Sequence, residues 1–180
     1  FIDGVPAAAP GAVTFKQGEV TKATADSSAT GVYASSLSNG TYEVYVNGED
    51  IGVEVTVDGA ATSADAVNYY TVSYAVQDSG LATGSTVSAT AGGVSIASGA
   101  VVLAGKPIVI TAAGAGANSY TYLWSGDGTN GQTTDTLSVT LTGKINALGT
   151  VAGSNSYAVA LNTNGGTINS GHITAYDYGT

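Results

Sequence analysis

The sequence predicts an all-β protein built from β-sandwich modules in tandem, and three observations support this. Apolar and aromatic residues recur at every second position over short runs, which is the spacing of strands with one buried face. Gly-rich and Asn-Gly turn signals separate these runs at intervals of roughly ten residues. No stretch has the apolar period of a helix. We therefore expect almost no α-helix.

The chain divides into four predicted segments. A weak change of composition near residues 58 to 68 separates two modules, and two small β domains fit a chain of 180 residues. The predicted segments are an apolar N-terminal arm at 1–11, a first β-sandwich module at 12–67, a second at 68–153 and a C-terminal β tail at 154–180.

The first eleven residues are expected to form an extended arm. Phe1, Ile2 and Val5 are apolar, and the spacer Pro6–Pro10 that follows favours an extended or polyproline conformation. A terminal apolar arm docks either on its own domain or on a neighbouring molecule. Because the spacer is expected to hold the arm away from Val13 and the body of the first module, we hypothesise docking on a neighbour.

The first module is expected to contain a three-stranded meander with Asn-Gly chemistry at both bends. The predicted strands are Val32–Ala34, Thr41–Val46 and Ile51–Val57, joined by turns at Ser38–Gly40 and Asn47–Gly48. In the last of these strands Ile, Val, Val and Val alternate with Gly, Glu and Thr, so one face should be buried and the other exposed to water.

These residues resemble a known hairpin. Gly31-Val-Tyr33 followed by Leu37-Ser-Asn-Gly-Thr-Tyr-Glu-Val-Tyr-Val-Asn-Gly48 is similar to the hairpin of carboxypeptidase-regulatory-like and Cna-B-type modules. The resemblance covers about 30 residues and implies a prealbumin-like β-sandwich of the kind found in bacterial surface proteins.

Trp124 is expected to anchor the core of the second module. It is the only tryptophan, it shares a strand face with Tyr120 and Tyr122, and a dense turn signal at Ser125–Gly131 ends its strand. Tyr122-Leu-Trp-Ser-Gly-Asp-Gly resembles the motif of polycystic-kidney-disease-type (PKD) domains, which implies an Ig-like sandwich. The aromatic residue that precedes Gly-Asp-Gly in that family is missing here.

The tyrosines are divided by strand alternation into two sets. Those expected in the core are Tyr42, Tyr70, Tyr74 and Tyr157. Those expected to point away, or to lie in the tail, are Tyr45, Tyr69, Tyr176 and Tyr178. Because tyrosine combines apolar area with a polar tip, the second set is suited to interfaces or to sugar stacking.

Composition excludes several classes of function. Four Lys and Arg against thirteen Asp and Glu give a net charge of −9, which argues against binding to nucleic acid or to an anionic membrane surface. The chain has neither Cys nor Met, so it has no disulfide and no thiolate. It therefore lacks the most oxidisable side chains, which is compatible with an extracellular location. No run is long enough to span a membrane, and no basic region with an apolar region after it precedes Phe1, so if the protein is secreted we expect this sequence to be the mature or trimmed form.

Catalytic and metal sites are not expected. His172 is the only histidine, and no nucleophile elbow accompanies it. Asp127 and Asp135 flank a Gly-rich loop with Asn130 and are the candidate calcium ligands, but the preferred interpretation is a turn stabilised by Asp. A second acidic group at hairpin ends is interpreted in the same way; it consists of Glu49, Asp50 and Asp58. We expect no cofactor and no enzyme activity.

Two covalent modifications are weighed on the sequence. Cna-B-type modules often join a Lys of the first strand to an Asn near the last, which would make Lys16 the donor with Glu43 or Glu54 assisting. Lys16 alternates away from the apolar face, however, and is expected to be solvated. Asn39-Gly-Thr41 is a formal glycosylation sequon, and the hairpin turn is the preferred interpretation.

The favoured function is that of an extracellular structural subunit of a prokaryotic surface filament or pilus-like assembly. Subunits would polymerise head to tail by strand donation, because the chain has an apolar arm and few lysines to protect its strand edges. The residues expected to mediate assembly are Phe1, Ile2, Val5, Ile173, Tyr176 and Tyr178. The alternative is a cell-surface adhesin or stalk module that binds carbohydrate or matrix through its loops.

Overall fold

The structure is a computed structural model that describes residues 1–25, 27–28, 36–63, 65–129, 131–158 and 175–178, with the last four and residue 158 described by their backbone. Within these ranges the protein is all-β and contains no helix, which confirms the prediction of an all-β fold. The strands are β1 (Val13–Gln17), β2 (Val20–Ala25), β3 (Gly40–Val46), β4 (Glu49–Val57), β5 (Tyr69–Gly80), β6 (Thr86–Ala91), β7 (Val94–Ile96), β8 (Ala100–Leu103), β9 (Pro107–Ala113), β10 (Ser119–Ser125), β11 (Thr136–Thr140), β12 (Ile145–Ala158) and β13 (Ala175–Tyr178).

The chain folds into two compact units that alternate along the sequence. The first consists of Phe1–Thr71, Val101–Lys106 and Leu141–Lys144, and the second of Val72–Ala100, Pro107–Thr140 and Ile145–Thr180. These units differ from the contiguous modules expected from composition, because two short segments return to the first unit. Backbone hydrogen bonds hold them there: the N–H of Ala104 donates to the Asn68 carbonyl at 3.0 Å, and that of Gly105 to the Leu141 carbonyl at 2.8 Å.

The first unit contains a four-stranded antiparallel sheet of order β2-β1-β3-β4. Asn47 and Gly48 both have positive φ, 51° and 81°, as the predicted two-residue hairpin turn requires. The sheet buries one face, as its strand alternation predicts. The buried cluster of this unit consists of Val13, Phe15, Tyr42, Val44, Val46, Val55 and Tyr69.

The second unit contains a β-sandwich. One sheet has the order β10-β12-β5-β8, of whose last strand only Ala100 belongs to this unit, and the other has the order β11-β9-β6-β7. Both contribute fully buried side chains, among them Trp124 and Val151 from the first sheet and Ile108, Ile110 and Leu137 from the second. Trp124 is 1% exposed and its indole Nε1–H donates to the Thr134 carbonyl at 2.9 Å, so it is buried as predicted.

Two tyrosines lie on the side opposite to the predicted one. Tyr69 is only 7% exposed and belongs to the core of the first unit, whereas Tyr157 is 56% exposed. Tyr42 is buried as expected, and Tyr45 lies on the outer face of the first sheet beside Lys16. The predicted start of the tail at 154 also falls inside β12, which continues without a break to Ala158.

Candidate functional site

The acidic loop after Trp124 is a turn held by its own hydrogen bonds. The hydroxyl of Thr129, which is buried, donates to the Gly126 carbonyl at 2.8 Å, and the Asp127 carbonyl accepts the Asn146 N–H at 3.1 Å. The side chains of Asp127 and Asp135 are exposed. Asn130 and His172 lie outside the described residues. Among the residues that are described, no three His, Cys, Asp or Glu side chains come together as metal ligands.

The second acidic group is likewise occupied by local interactions. The Asp50 carboxylate accepts the Gly52 N–H at 2.8 Å, and Glu49 forms an ion pair with Lys106. Asp58 is exposed at the end of β4. These contacts stabilise the turn and the edge of the sheet.

Lys16 does not have the surroundings that an intramolecular amide bond to an Asn would require. Its Nζ lies 3.9 Å from the centroid of the Tyr45 ring, on the exposed face of the sheet, and Glu43 lies opposite it on β3. The pKa of Tyr45 is raised by desolvation and, secondarily, by the nearby negative charges of Glu43, Asp50 and Glu19. Lys16 therefore takes part in a surface cation–π contact rather than a buried reaction centre.

The N-terminal arm docks on its own chain, which corrects the expectation that Pro6–Pro10 holds it away. Ile2 forms a parallel bridge with Tyr69 and packs against the core cluster of the first unit. The Tyr69 N–H donates to the Phe1 carbonyl at 2.8 Å, and the Asp3 N–H donates to the Tyr69 carbonyl at 3.0 Å. Phe1 and Val5 remain 42% and 63% exposed.

Polar contacts of Asp3 fix the arm further. Its carboxylate accepts the backbone N–H of Thr71 at 2.8 Å and the Thr71 hydroxyl at 2.7 Å. These two hydrogen bonds lower the pKa of Asp3, with a smaller contribution from the charge of Lys144. The spacer is also in contact with the unit, since Ala9 packs against the core cluster. Donation of Phe1–Val5 to another subunit is thus not the arrangement of this structure.

The tail residues predicted for assembly are only partly described. Ile173 lies outside the described residues. Tyr176 and Tyr178 belong to β13, which pairs antiparallel with the end of β12, so that Tyr176 is opposite Tyr157 and Tyr178 is opposite Asn155. The backbone of this predicted contact is therefore already paired within the chain on one side.

Trp124, the aromatic residue nearest in the sequence to the Gly126–Gly131 loop, does not present its ring for sugar stacking. Trp124 is buried, and the hydroxyl of Tyr120 turns back to the Ala117 carbonyl at 2.5 Å. An open pocket of about 210 Å³ lies instead in the first unit. Its lining is mostly polar and consists of Gln17, Lys22, Ser36, Leu37, Ser38, Asn39 and Tyr42.

The most distinctive arrangement is the parallel pairing of β5 with β12. Nine consecutive residues of each strand are in register, from Val72 opposite Ile145 to Gly80 opposite Gly153. The ladder is closed at its end by the Leu81 N–H, which donates to the Gly153 carbonyl at 2.9 Å. A Cβ at Gly80 would lie 2.6 Å from that carbonyl oxygen, so the strands can approach this closely only with glycine there.

The sequence did not reveal this pair. The alternating residues Tyr70 and Tyr74 indicate a strand at β5, but the sequence of β12 before Tyr157 has no such pattern. The two strands are also separated along the chain by the other elements of the second unit. The only local signal was the pair of glycines at Gly149 and Gly153, which is typical of close backbone approach as well as of loops.

Comparison with known proteins gives no match, whether with family models, curated proteins or solved structures. The resemblances to Cna-B-type and PKD-type modules therefore stay predictions. Within the described residues, no helix is long and apolar enough to cross a membrane.

Proposed function

We propose that this chain is a load-bearing structural module of a prokaryotic cell-surface protein, acting as part of an extracellular filament or stalk. The observation that carries the proposal is the parallel ladder between β5, where the chain enters the second unit, and β12, the long strand near the end of that unit. Strand donation by Phe1–Val5 is not part of the proposal, because those residues dock on their own chain.

The direction of the two strands determines how tension acts on them. In a parallel pair, the N-terminal end of one strand and the C-terminal end of the other lie at opposite ends of the ladder. A force that pulls the chain before Val72 away from the chain after Gly153 therefore slides the strands past each other. All the hydrogen bonds of the nine paired residues must then break together. Each of these bonds contributes about 0.5–1.5 kcal/mol net.

Composition supports a structural role outside the cell. The chain lacks Cys and Met, only 9% of its residues are charged, and its composition provides a surface of Ser, Thr, Asn and Gly. The described residues bring together no metal-binding cluster, and the acidic loops are turns. These features support a mechanical role over catalysis.

The test is single-molecule force spectroscopy in two pulling geometries. Because the chain has no cysteine, pairs of cysteines introduced at exposed positions provide unique attachment points. Asp65→Cys with Ser156→Cys applies force across the two ends of the ladder. Ser79→Cys with Ser156→Cys is the matched control, because both handles then lie at the same end and the pairs separate one at a time.

We expect the second unit to unfold at a clearly higher force in the first geometry than in the second. All three positions are exposed, so both variants should keep the native fluorescence of Trp124 before stretching. Equal unfolding forces in the two geometries would show that the ladder does not bear load and would refute the proposed function.

A further inference from the structure

Strand β10 has a free edge in the second unit. In the part of the chain that the structure describes, it pairs with β12 on one side and with no strand on the other. The free stretch ends before Trp124, whose N–H donates to the Gln132 carbonyl at 2.8 Å. Leu123 is 49% exposed, and Ser119 and Thr121 are also exposed. The accessible edge is therefore Ser119–Leu123.

The hydrogen-bonding groups of this edge follow from strand alternation. The Trp124 N–H points away from β12, because it reaches Gln132. Along an antiparallel strand the N–H and C=O of every second residue point to the same side. The N–H and C=O of Tyr120 and Tyr122 therefore also point away from β12, and they are the groups that an added strand would bind.

Unlike the edge of β10, the two edge strands of the first sheet, β2 and β4, have features that oppose pairing with a further strand. In β2, Lys22 is the extra residue of a bulge, because Phe15 is opposite Ala23 and Lys16 is opposite Thr21. Both a bulge and an edge lysine oppose the addition of a strand.

The other edge of that sheet, β4, is protected in the same manner. Its register shifts between Val44 and Tyr45, and Asp50 and Glu54 are exposed along it. By comparison, β10 has an unbroken register and contains no charged residue, proline or glycine. A strand of this composition readily accepts another strand.

We infer that Ser119–Leu123 is a self-association site, at which β10 pairs antiparallel with β10 of a second copy of this chain about a two-fold axis at Thr121. In this register Tyr120 of one copy lies opposite Tyr122 of the other. Each such pair exchanges two hydrogen bonds, so the four outward-pointing backbone groups of each copy are all used. If the register were displaced by one residue, Tyr120 of one copy would lie opposite Thr121 of the other. The backbone N–H and C=O of Thr121 point towards β12, so they could not bind the free groups of Tyr120.

The side chains are compatible with a second copy as the partner. Each chain carries a net charge of −9, yet the outward-facing residues of β10, of β5 and of β12 up to Ser154 include no charged side chain. The outward-facing residues are Ser119, Thr121, Leu123 and Ser125 on β10, Asn146, Leu148, Thr150, Ala152 and Ser154 on β12, and Ser73, Ala75, Gln77 and Ser79 on β5. Two copies can therefore align their sheets edge to edge without opposing carboxylates, and the tyrosines form cross-strand aromatic pairs.

The contact is expected to be weak in an isolated chain. A single strand edge buries less than the roughly 800 Å² per partner of a stable interface. A reversible dimer that dissociates on dilution is the expected species, and such contacts gain strength when many copies are held together. This inference is independent of the load-bearing role, because it concerns the opposite side of β12 from β5.

Sedimentation velocity of the full chain over a range of concentrations tests the site. Thr121→Lys places two lysines directly opposite each other on the two-fold axis, and we expect it to weaken the dimer about three- to tenfold. Thr150→Lys adds the same charge on the same face one strand further in and should leave the dimer unchanged. Ser138→Lys adds it on β11, the edge of the other sheet, and should also have no effect.

A single-cysteine variant supplies an independent readout. In the predicted register Thr121 faces its own copy at a non-hydrogen-bonded position, where Cα atoms are about 4.5 Å apart, a separation that a disulfide can bridge. Thr121→Cys should therefore form a covalent dimer on mild oxidation, whereas Ser138→Cys should not. A wild-type chain that stays monomeric up to its solubility limit, or a dimer disrupted equally by Thr150→Lys or by Ser138→Lys, would overturn the inference.

Discussion

The indole ring of Trp124 on β10 lies directly against Gly149 on β12. The two residues are opposite each other in register, and a Cβ at position 149 would lie 2.8 Å from Cζ3 of the ring. The ring occupies the space that a side chain on the central strand would otherwise fill. The absence of a side chain at Gly149 therefore leaves the space in which the ring of Trp124 packs in the core of the second unit.

Replacing Gly149 with Ala should destabilise the second unit. The added methyl group overpacks the ring of Trp124, which costs about 1–3 kcal/mol in a well-packed core. Urea unfolding followed by Trp124 fluorescence measures this, since the only tryptophan reports on the second unit. Ser138→Ala on β11 is the control in the same unit: its side chain is exposed, so the stability should change by less than about 0.5 kcal/mol. Equal midpoints for both variants would contradict the close packing.

The same contact explains why β12 could not be predicted from the sequence. Its inward positions include Ala147, Gly149 and Gly153, so the period-two pattern of large apolar residues is absent although the strand is central. The hairpin of β3 and β4 was predicted because its valines and its Asn47–Gly48 turn are local signals. In β12 the small residues at inward positions make room for the ring of Trp124, so this strand lacks the local pattern that identified the hairpin.

The burial of Tyr69 and the pairing of β5 with β12 also could not be predicted from local sequence patterns. Alternation along β5 assigned Tyr69 to the exposed side, but its side chain enters the core of the first unit while Val72, three residues later, is buried in the second. One strand that serves two cores cannot follow a single alternation. The parallel pairing of β5 with β12 joins residues far apart in the chain, and neither strand indicates its partner.

Replacing Trp124 with Ala should unfold the second unit under mild conditions. Loss of a fully buried tryptophan costs about 3–5 kcal/mol, and the Thr134 carbonyl also loses its donor. Because this variant removes the fluorophore, circular dichroism during thermal unfolding is the measurement. Leu123→Ala, on the same strand but 49% exposed, should change stability by less than about 0.5 kcal/mol. A melting temperature unmoved by Trp124→Ala would refute its role as core anchor.

Chelation should not alter the stability of the protein. Asp127 and Asp135 have exposed carboxylates, and the described residues contain no cluster of three potential metal ligands. A site saturated at 100 times its Kd would add about 2.7 kcal/mol, which a melting curve resolves easily. Melting curves with EDTA and with added calcium should coincide. A calcium-dependent rise that Asp127→Asn abolishes would identify a metal site at this loop.

Docking of the N-terminal arm should weaken at acid pH. The pKa of Asp3 is lowered from 3.8 in the folded chain, so its contribution to stability is present above about pH 3.8 and is lost as the pH falls through the folded pKa. Hydrogen exchange at the Asp3 and Tyr69 amides measures arm docking. In the Asp3→Asn variant these amides should exchange faster than in the wild type at neutral pH, and the two exchange rates should be equal at low pH. Thr71→Val removes the hydroxyl partner and should show a smaller change in the same direction.

Deleting residues 1–11 should destabilise the first unit, because the arm covers part of its core. Ile2 and Ala9 pack against the core cluster, and the backbone of Tyr69 loses its partners Phe1 and Asp3. Faster hydrogen exchange in β1 and β3 is the expected result, whereas Trp124 fluorescence should report a smaller change in the second unit.

Two point variants test whether the packed side chains of the arm stabilise the first unit. Ile2→Ala removes a partly buried side chain and should cost about 1–2 kcal/mol, which is less than the 2–5 kcal/mol of a fully buried one. Val5→Ala, at a position 63% exposed, should be nearly neutral. If the truncated chain and Ile2→Ala were both as stable as wild type, the arm would contribute nothing to its own unit.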